Sequence, residues 1–522
     1  MAKVSSDGGI LHRSQASIIR ASQAKRDATA RDIEDLLIPA VAAHRPVPVK
    51  FTVRKAVFVT VGLYIALFQW VYVEYLFPTF GYLGFGFNAP SPGYLLLGWA
   101  LALSPCLWIP LRLTRPSQLA YWVLYISVFV PSMFVPLYAE MEPDREIATM
   151  MLVFFMGFLV MGLSYRLPLW RTRALHLPAR ALWRVLGAVF ALLVVLLMAV
   201  FGDHLHFVSF NDVYDLRDAA NDITNPFADF AYMLLTGAVS PFFMGYGLFY
   251  RRRGLFLAGA AGQLLVYCVG GTKGSILSIV FISGMYLLLR VRRISFALVF
   301  SLSCLALLAL FAGAYLAAGK EPGVALSVAL FVVFSRTLGM GGLLTAQYYD
   351  FFQSNPFTYW SHLKIVNWFV HYPYQYPVGQ ELGLAYVGTT RLDATTHFFA
   401  TDGIEAAGLP GLFLIALFCA FVFWVLDSAA QKHDPRLAAL VTTYAAYNLA
   451  NISIFTALLS GGLGLLTLLL YLLAPGPSRP DEVEGIGRGV RGQRAARSLP
   501  DRRLSPGISH GPVRSLGRTR RA

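Results

Sequence analysis

Apolar runs, most of roughly 18–25 residues, recur along this chain, the length that carries an α-helix across a hydrocarbon layer. In lipid the backbone amides find no water, so such runs must bond internally as helices. They lie near 56–77, 94–111, 119–138, 147–165, 185–202, 230–250, 255–271, 275–289, 294–318, 409–427, 437–454 and 457–474. The sequence predicts an all-α polytopic membrane protein with about twelve transmembrane helices. Composition agrees: 57% of the 522 residues are hydrophobic and 14% charged, whereas a soluble domain is about a quarter charged.

The net charge of +15 invites a nucleic-acid reading, but the position of the charge argues against it. Lys and Arg collect in the two tails and in short loops, such as RLPLWRTRALHLPARALWR (166–184), RRR (251–253) and RVRR (290–293). That is the positive-inside pattern. With the N-terminus cytoplasmic, those clusters fall inside together with Arg112, Arg115, Lys432 and Arg436. An even number of spans then returns the C-terminus to the cytoplasm. The opposite face keeps Arg145, Arg217, Lys273, Lys320, Arg336, Lys364 and Arg391.

The resulting organisation is a basic, disordered cytoplasmic tail over 1–52, a first bundle of about nine spans over 53–318, a large loop region over 319–408, the last spans over 409–474, and an Arg-rich tail over 475–522. The tails read as topology determinants that meet anionic headgroups. Cys106, Cys268, Cys304 and Cys419 all fall within apolar runs, without disulfide or zinc spacing. No internal repeat of the kind that builds duplicated transporters is visible.

A long loop region on one face, between the ninth and tenth spans, is where function is expected. Within it, VALSVALFVVFSRTLGMGGLLTAQYY (324–349) is apolar but interrupted by Arg336 and glycines, and reads as a re-entrant or interfacial helix. Arg336 beside Phe, Val and Leu is costly near lipid, so it serves either a ligand or a structural pair with an acid such as Asp350. Lys273 in GGTKGS (270–275) combines a Gly-rich turn with an ammonium, an arrangement that suits phosphate and equally a snorkelling lysine at a helix hairpin. Arg217 in NDVYDLRDA sits among Asp212, Asp215 and Asp218, where local ion pairing competes with any binding role.

Just before a span, TTRLDATTHFFATDGIEAAGLPG (389–411) carries Asp393, His397, Asp402 and Glu405. If helical, Asp393 and His397 are i,i+4 neighbours, and a carboxylate or imidazole there can take a proton from a hydroxyl. Asp402 also suits a helix cap with Glu405 in the first turn. The stretch YYDFFQSNPFTYWSHLKIVNWFVHYPYQYPVGQELG (348–383) is dense in flat rings with polar tips. Tyr348, Asp350, Tyr359, Trp360, His362, Tyr372 and Tyr374 there read as a sugar-binding platform, with an interfacial aromatic belt as the plainer alternative.

The ordered set VYDLR, GGTKGS, FSR, YDFFQSNPFTYWSH, YPYQYPVGQELG and ATDGIEAAGLPG resembles the Wzy-like oligosaccharide repeat-unit polymerases, relatives of the O-antigen ligases, over about residues 55–475. The resemblance implies a GT-C-like glycosyltransferase of the bacterial inner membrane with a periplasmic active site. It implies an undecaprenyl-diphosphate-linked oligosaccharide as substrate, membrane lipids and a chain-length regulator protein as partners, and no cofactor or metal. On matching positions it assigns Arg217, Lys273 and Arg336 to the diphosphate and Asp402 or His397 to base catalysis. The chain departs from the family in lacking an Arg-x10-Gly pattern and in having DATTHFFATDG where an asparagine-rich run is expected. The rival readings are an O-antigen-ligase-type transferase and a transporter or flippase of lipid-linked sugars. The latter would place polar residues midway through several spans.

Overall fold

The computed structural model describes residues 49–171, 178–205, 223 and 225–474. The two tails and Arg217 lie outside the described residues, apart from the stretch 49–52. Every regular element among the described residues is helical. Among the described residues eleven helices are long and apolar enough to cross a membrane: Thr52–Leu83, Ser117–Ala139, Asp144–Arg166, Ala179–His204, Pro226–Phe249, Arg253–Gly270, Lys273–Arg290, Phe296–Ala317, Val324–Ser354, Phe399–Ala430 and Ile454–Leu472. The protein is thus a polytopic all-α membrane protein.

Two predicted spans come out differently. The run at 94–111 is a shorter apolar helix, Pro92–Leu107, whose end tightens into a 3-10 turn at Pro105. The run at 437–454 is split at Thr442 into Pro435–Val441 and Thr443–Leu449, and then unwinds before Ser453. Hydropathy alone registers neither break, because the interrupting residues are small and uncharged.

Local chemistry sets the helix ends. Asn225 accepts hydrogen bonds from the amides of Phe227 and Ala228, with Pro226 at the first helical position. Gly271, at φ 60°, closes one helix in the left-handed conformation that glycine tolerates, and Lys273 opens the next. GGTKGS is therefore a tight helix hairpin. Five wide π-helical stretches, Tyr72–Leu76, Tyr125–Phe129, Leu235–Val239, Phe331–Gly339 and Phe399–Ile404, bend otherwise regular helices.

Ser117–Ala139 is the central post, with 89% of its apolar window buried against 22% for the peripheral Ala179–His204. Contacts define the two ends of the bundle. At one, Arg115 donates to Leu167 O (3.1 Å), Ser295 to Leu111 O (2.6 Å), and Trp424 to Pro168 O (2.9 Å). His433 Nε2 lies 2.8 Å from Leu470 O at this end too. Arg112, Arg115, Arg166, Arg292, Arg293 and Lys432 belong to these turns. At the opposite end Glu74 pairs with Lys320, and Asn88 N donates to Tyr138 O (2.9 Å).

Val324–Ser354 corrects the predicted extent of the large loop. Its 31 residues are continuous helix, so the irregular region shrinks to 355–398, with short helices inside it. It is long enough to cross, yet both flanks meet one turn. Phe331 lies against Phe80 (5.6 Å between ring centroids) and Phe334 against Tyr75 (5.3 Å), while Gln347 donates to Leu83 O (2.8 Å). Between these flanks the helix dips to the central post: a Cβ on Gly341 would stand 2.9 Å from Ser127 O, and one on Gly342 2.6 Å from Pro131 O. The π-stretch at 331–339 supplies the bend. The last helix is also jointed. Gly462 has φ 85°, and a Cβ on Gly237 would stand 2.6 Å from the Gly461 carbonyl, so two bare backbones touch there.

Candidate functional site

The π-turn Phe399–Ile404 places Asp402 and Glu405 on one side of the helix start, three residues apart. Asp402 is fully buried and Glu405 is nearly so. Ser453 Oγ donates to Asp402 Oδ1 (2.6 Å) and Ile454 N to Oδ2 (2.6 Å). The segment 355–371 folds over this pair. Thr358 N donates to Glu405 O (3.0 Å), and Tyr359 N donates to Ala406 O (3.0 Å). The Thr358 hydroxyl donates to Glu405 Oε1 (3.3 Å).

His362 drops between the two carboxylates. Its Nε2 is 3.5 Å from Asp402 Oδ1 and its Nδ1 3.3 Å from Glu405 Oε1, with 24% of the side chain exposed. Neither nitrogen makes an aligned hydrogen bond, so the contact is ion pairing. Burial works to lower the imidazole pKa, but the adjacent Asp402 and Glu405 carboxylates outweigh it and push the value up to about 9. The trio is a cationic ring held by two acids. Beside it, Tyr359 and Trp360 sit at φ 48° and 60°, strained for bulky residues, and Trp360 Nε1 is buried without a partner. Among the described residues no group of His, Cys, Asp or Glu is arranged to hold a metal ion.

His397 takes a different position. It is fully buried, with Nε2 3.0 Å from Gly341 O and 2.9 Å from Thr345 Oγ1, while Nδ1 accepts the Ala400 amide (3.3 Å). An Nδ1 that accepts and an Nε2 that donates describe a neutral ring with both nitrogens engaged. Burial pushes its pKa down to about 4. Asp393 and His397 are not helical neighbours, because 392–397 is irregular; Asp393 instead bonds the amide (3.0 Å) and hydroxyl (2.5 Å) of Thr395. Asp402 caps a helix other than its own, the one beginning at Ile454.

A cavity of about 620 Å³ opens alongside. Val280, Phe281, Leu288, Val299 and Leu307 make most of its wall apolar, and Arg336, Thr395, Thr396 and Asn451 bring polar groups to it. Asn451 of its wall is two residues from Ser453, which donates to Asp402, and Thr396 adjoins His397. Arg336 is exposed and forms no ion pair with any described acid. Asp350, its expected structural partner, instead accepts from the Tyr386 hydroxyl. Lys273 lines a second cavity of about 530 Å³ with Lys320, Tyr75, Thr79 and Ser327. Tyr447 spans the interval: it lines the Arg336 cavity, and a Cβ on Gly274 would lie 4.0 Å from its ring.

The predicted sugar platform is not one open surface. Tyr348 is 1% exposed, and the Tyr372 and Tyr374 hydroxyls donate to Tyr376 O (3.1 Å) and Pro356 O (2.5 Å). Tyr359 remains open, and His362 sits over the carboxylates. Sequence reasoning missed Thr358 and Ser453. The i,i+3 spacing of Asp402 and Glu405 was a usable signal for the carboxylate pair; nothing local marked Ser453, which arrives from another helix. No protein-family model, curated protein or solved structure matches this chain.

Proposed function

We propose that this chain is a membrane glycosyltransferase that polymerises undecaprenyl-diphosphate-linked oligosaccharide repeat units at the periplasmic face of a bacterial inner membrane. Two observations support this reading: an apolar cavity carries the Arg336 guanidinium, which has no ion pair among the described residues, and the buried His–Asp–Glu cluster is tied to Ser453, two residues from Asn451 of the cavity wall. A lipid tail suits the walls of Val280, Leu288 and Leu307, and a diphosphate suits Arg336. The sugar beyond the diphosphate then approaches Asp402 and Glu405.

In the proposed reaction an acceptor hydroxyl attacks the anomeric carbon of the donor. The new glycosidic C–O bond forms as the bond from that carbon to the diphosphate oxygen breaks. The hydroxyl proton passes to a carboxylate of the Asp402–Glu405 pair, and the bond electrons leave with the diphosphate. Arg336, with Lys273 nearby, stabilises the charge developing on that leaving group in a low-dielectric setting. His397 has both nitrogens engaged, so base catalysis is assigned to the carboxylate pair. His362 faces both carboxylates as their counter-charge.

The test is an assay of membranes carrying Arg336→Ala or Asp402→Asn, supplied with lipid-linked repeat units. Both variants are expected to lose polymer at normal protein level. Wild-type chain lengths in both would sink the reading. Product analysis in cells separates the ligase-type alternative: single repeats still attached mark a polymerase, and loss of all attachment marks a ligase.

A further inference from the structure

The turn that follows His362 carries an apolar face that covers nothing among the described residues. Asn367 N donates to Leu363 O (2.9 Å), Phe369 N to Val366 O (2.9 Å) and Val370 N to Val366 O (3.0 Å), so 363–370 is an ordered helical turn. Asn367 Oδ1 accepts from Tyr372 N (3.1 Å) and closes it. Ile365, Trp368 and Phe369, at the i, i+3, i+4 spacing of one helical face, are 68%, 79% and 85% exposed. The base of the turn is fixed, since Ser361 donates to Thr358 O (2.6 Å) and Thr358 N to Glu405 O. A rigid turn does not hold an isoleucine, a tryptophan and a phenylalanine in water without a partner surface.

We infer that residues 363–370 are a membrane anchor, with Ile365, Trp368 and Phe369 seated in the headgroup and upper acyl region of the adjacent leaflet. Three observations select lipid as the occupant. The turn is continuous with the membrane-facing surface: the His362 ring lies 6.4 Å from Phe455, and Phe455 lies 5.3 Å from Phe418. The helix bearing Phe418 exposes Leu414, Leu417 and Phe421 to the bilayer. Tryptophan beside an exposed lysine, here Trp368 and Lys364, is the composition of a membrane interface, where the ammonium meets lipid phosphates. Ile365 and Phe369 have no polar tips, so the face lacks the hydrogen-bonding edge by which a sugar platform orients its ligand. The anchor fixes the depth of His362, which directly precedes the turn, and with it the depth of the carboxylate cluster. The inference needs the membrane fold and stands apart from the proposed glycosyl transfer.

The experiment uses full-length protein in lipid nanodiscs and the difference in fluorescence between wild type and Trp368→Phe, so that the other tryptophans cancel. With lipids brominated near the headgroup end of the acyl chain, most of that difference signal is expected to be quenched, and aqueous iodide is expected to leave it unchanged. Quenching by iodide, or by neither agent because protein covers the ring, overturns the anchor. Shielding from iodide that appears only when lipid-linked oligosaccharide is added overturns it in favour of a carbohydrate surface.

Discussion

Ser453 Oγ and Asp402 Oδ1 are 2.6 Å apart across 51 residues of sequence, so one carboxylate both sits in the candidate site and fastens the start of another helix. The two duties are separable by substitution. Asp402→Asn keeps an oxygen to accept the Ile454 amide but removes the proton acceptor, and transfer is expected to fall about 100-fold or more at unchanged protein level. Ser453→Ala removes one donor and is expected to cost about 1 kcal/mol of stability with transfer retained. Thermal unfolding in detergent alongside a transfer assay checks both.

Arg336 has no acid to leave behind among the described residues, so Arg336→Ala exposes no buried unpaired charge. Stability is expected to stay within about 0.5 kcal/mol of wild type while polymer disappears. Arg336→Lys keeps the charge but loses the fork that grips a diphosphate, and partial activity is expected. Unfolding midpoints and polymer length distributions test the pair of variants.

His362 gives stability an alkaline limit. Its folded pKa of about 9 exceeds the ordinary 6.5, so the folded state holds the proton more tightly. The contribution is fully present below pH 6.5 and is lost as pH rises through about 9. Midpoints measured from pH 6 to 10 are expected to fall for wild type and to flatten in His362→Gln; parallel curves would contradict the assignment.

His397 acts in the opposite sense. Its folded pKa of about 4 lies below 6.5, so the unfolded chain takes up a proton that the folded chain refuses. Stability is present above pH 6.5 and drains as pH falls toward 4. His397→Asn is expected to cost about 1–3 kcal/mol at neutral pH through lost bonds to Gly341 and Thr345, and to shrink this acid limb. Unfolding of both proteins between pH 4 and 7 measures it.

Gly342 tests the dip of Val324–Ser354 against the central post. A methyl group there meets Pro131 O at 2.6 Å, and backbone cannot swing aside. Gly342→Ala is expected to lose about 1–3 kcal/mol, whereas Gly284→Ala, with nothing within 4 Å of the added carbon, is expected to be tolerated.

The sequence made the membrane-crossing pattern legible because apolar length is a strong, local signal, and Lys273 and Arg336 stood out because charge is rare in such runs. What stayed hidden is non-local. Ser453 reaches Asp402 from a helix start that no spacing rule connects to it. Tyr348 and His362 both stood in the aromatic stretch, but one is packed into a helix interface and the other sits between two carboxylates. The split at Thr442 and the continuity of 324–354 turn on backbone geometry that hydropathy does not encode.

The joint where Gly461 and Gly462 meet Gly237 divides the final helix into halves with different allegiances. The first, Ile454–Leu459, is tied to Asp402; the second, Leu463–Leu472, carries Leu470, which is tied to His433 at the far end of the bundle. A rod gripped at both tips and stripped of side chains at its middle flexes there first.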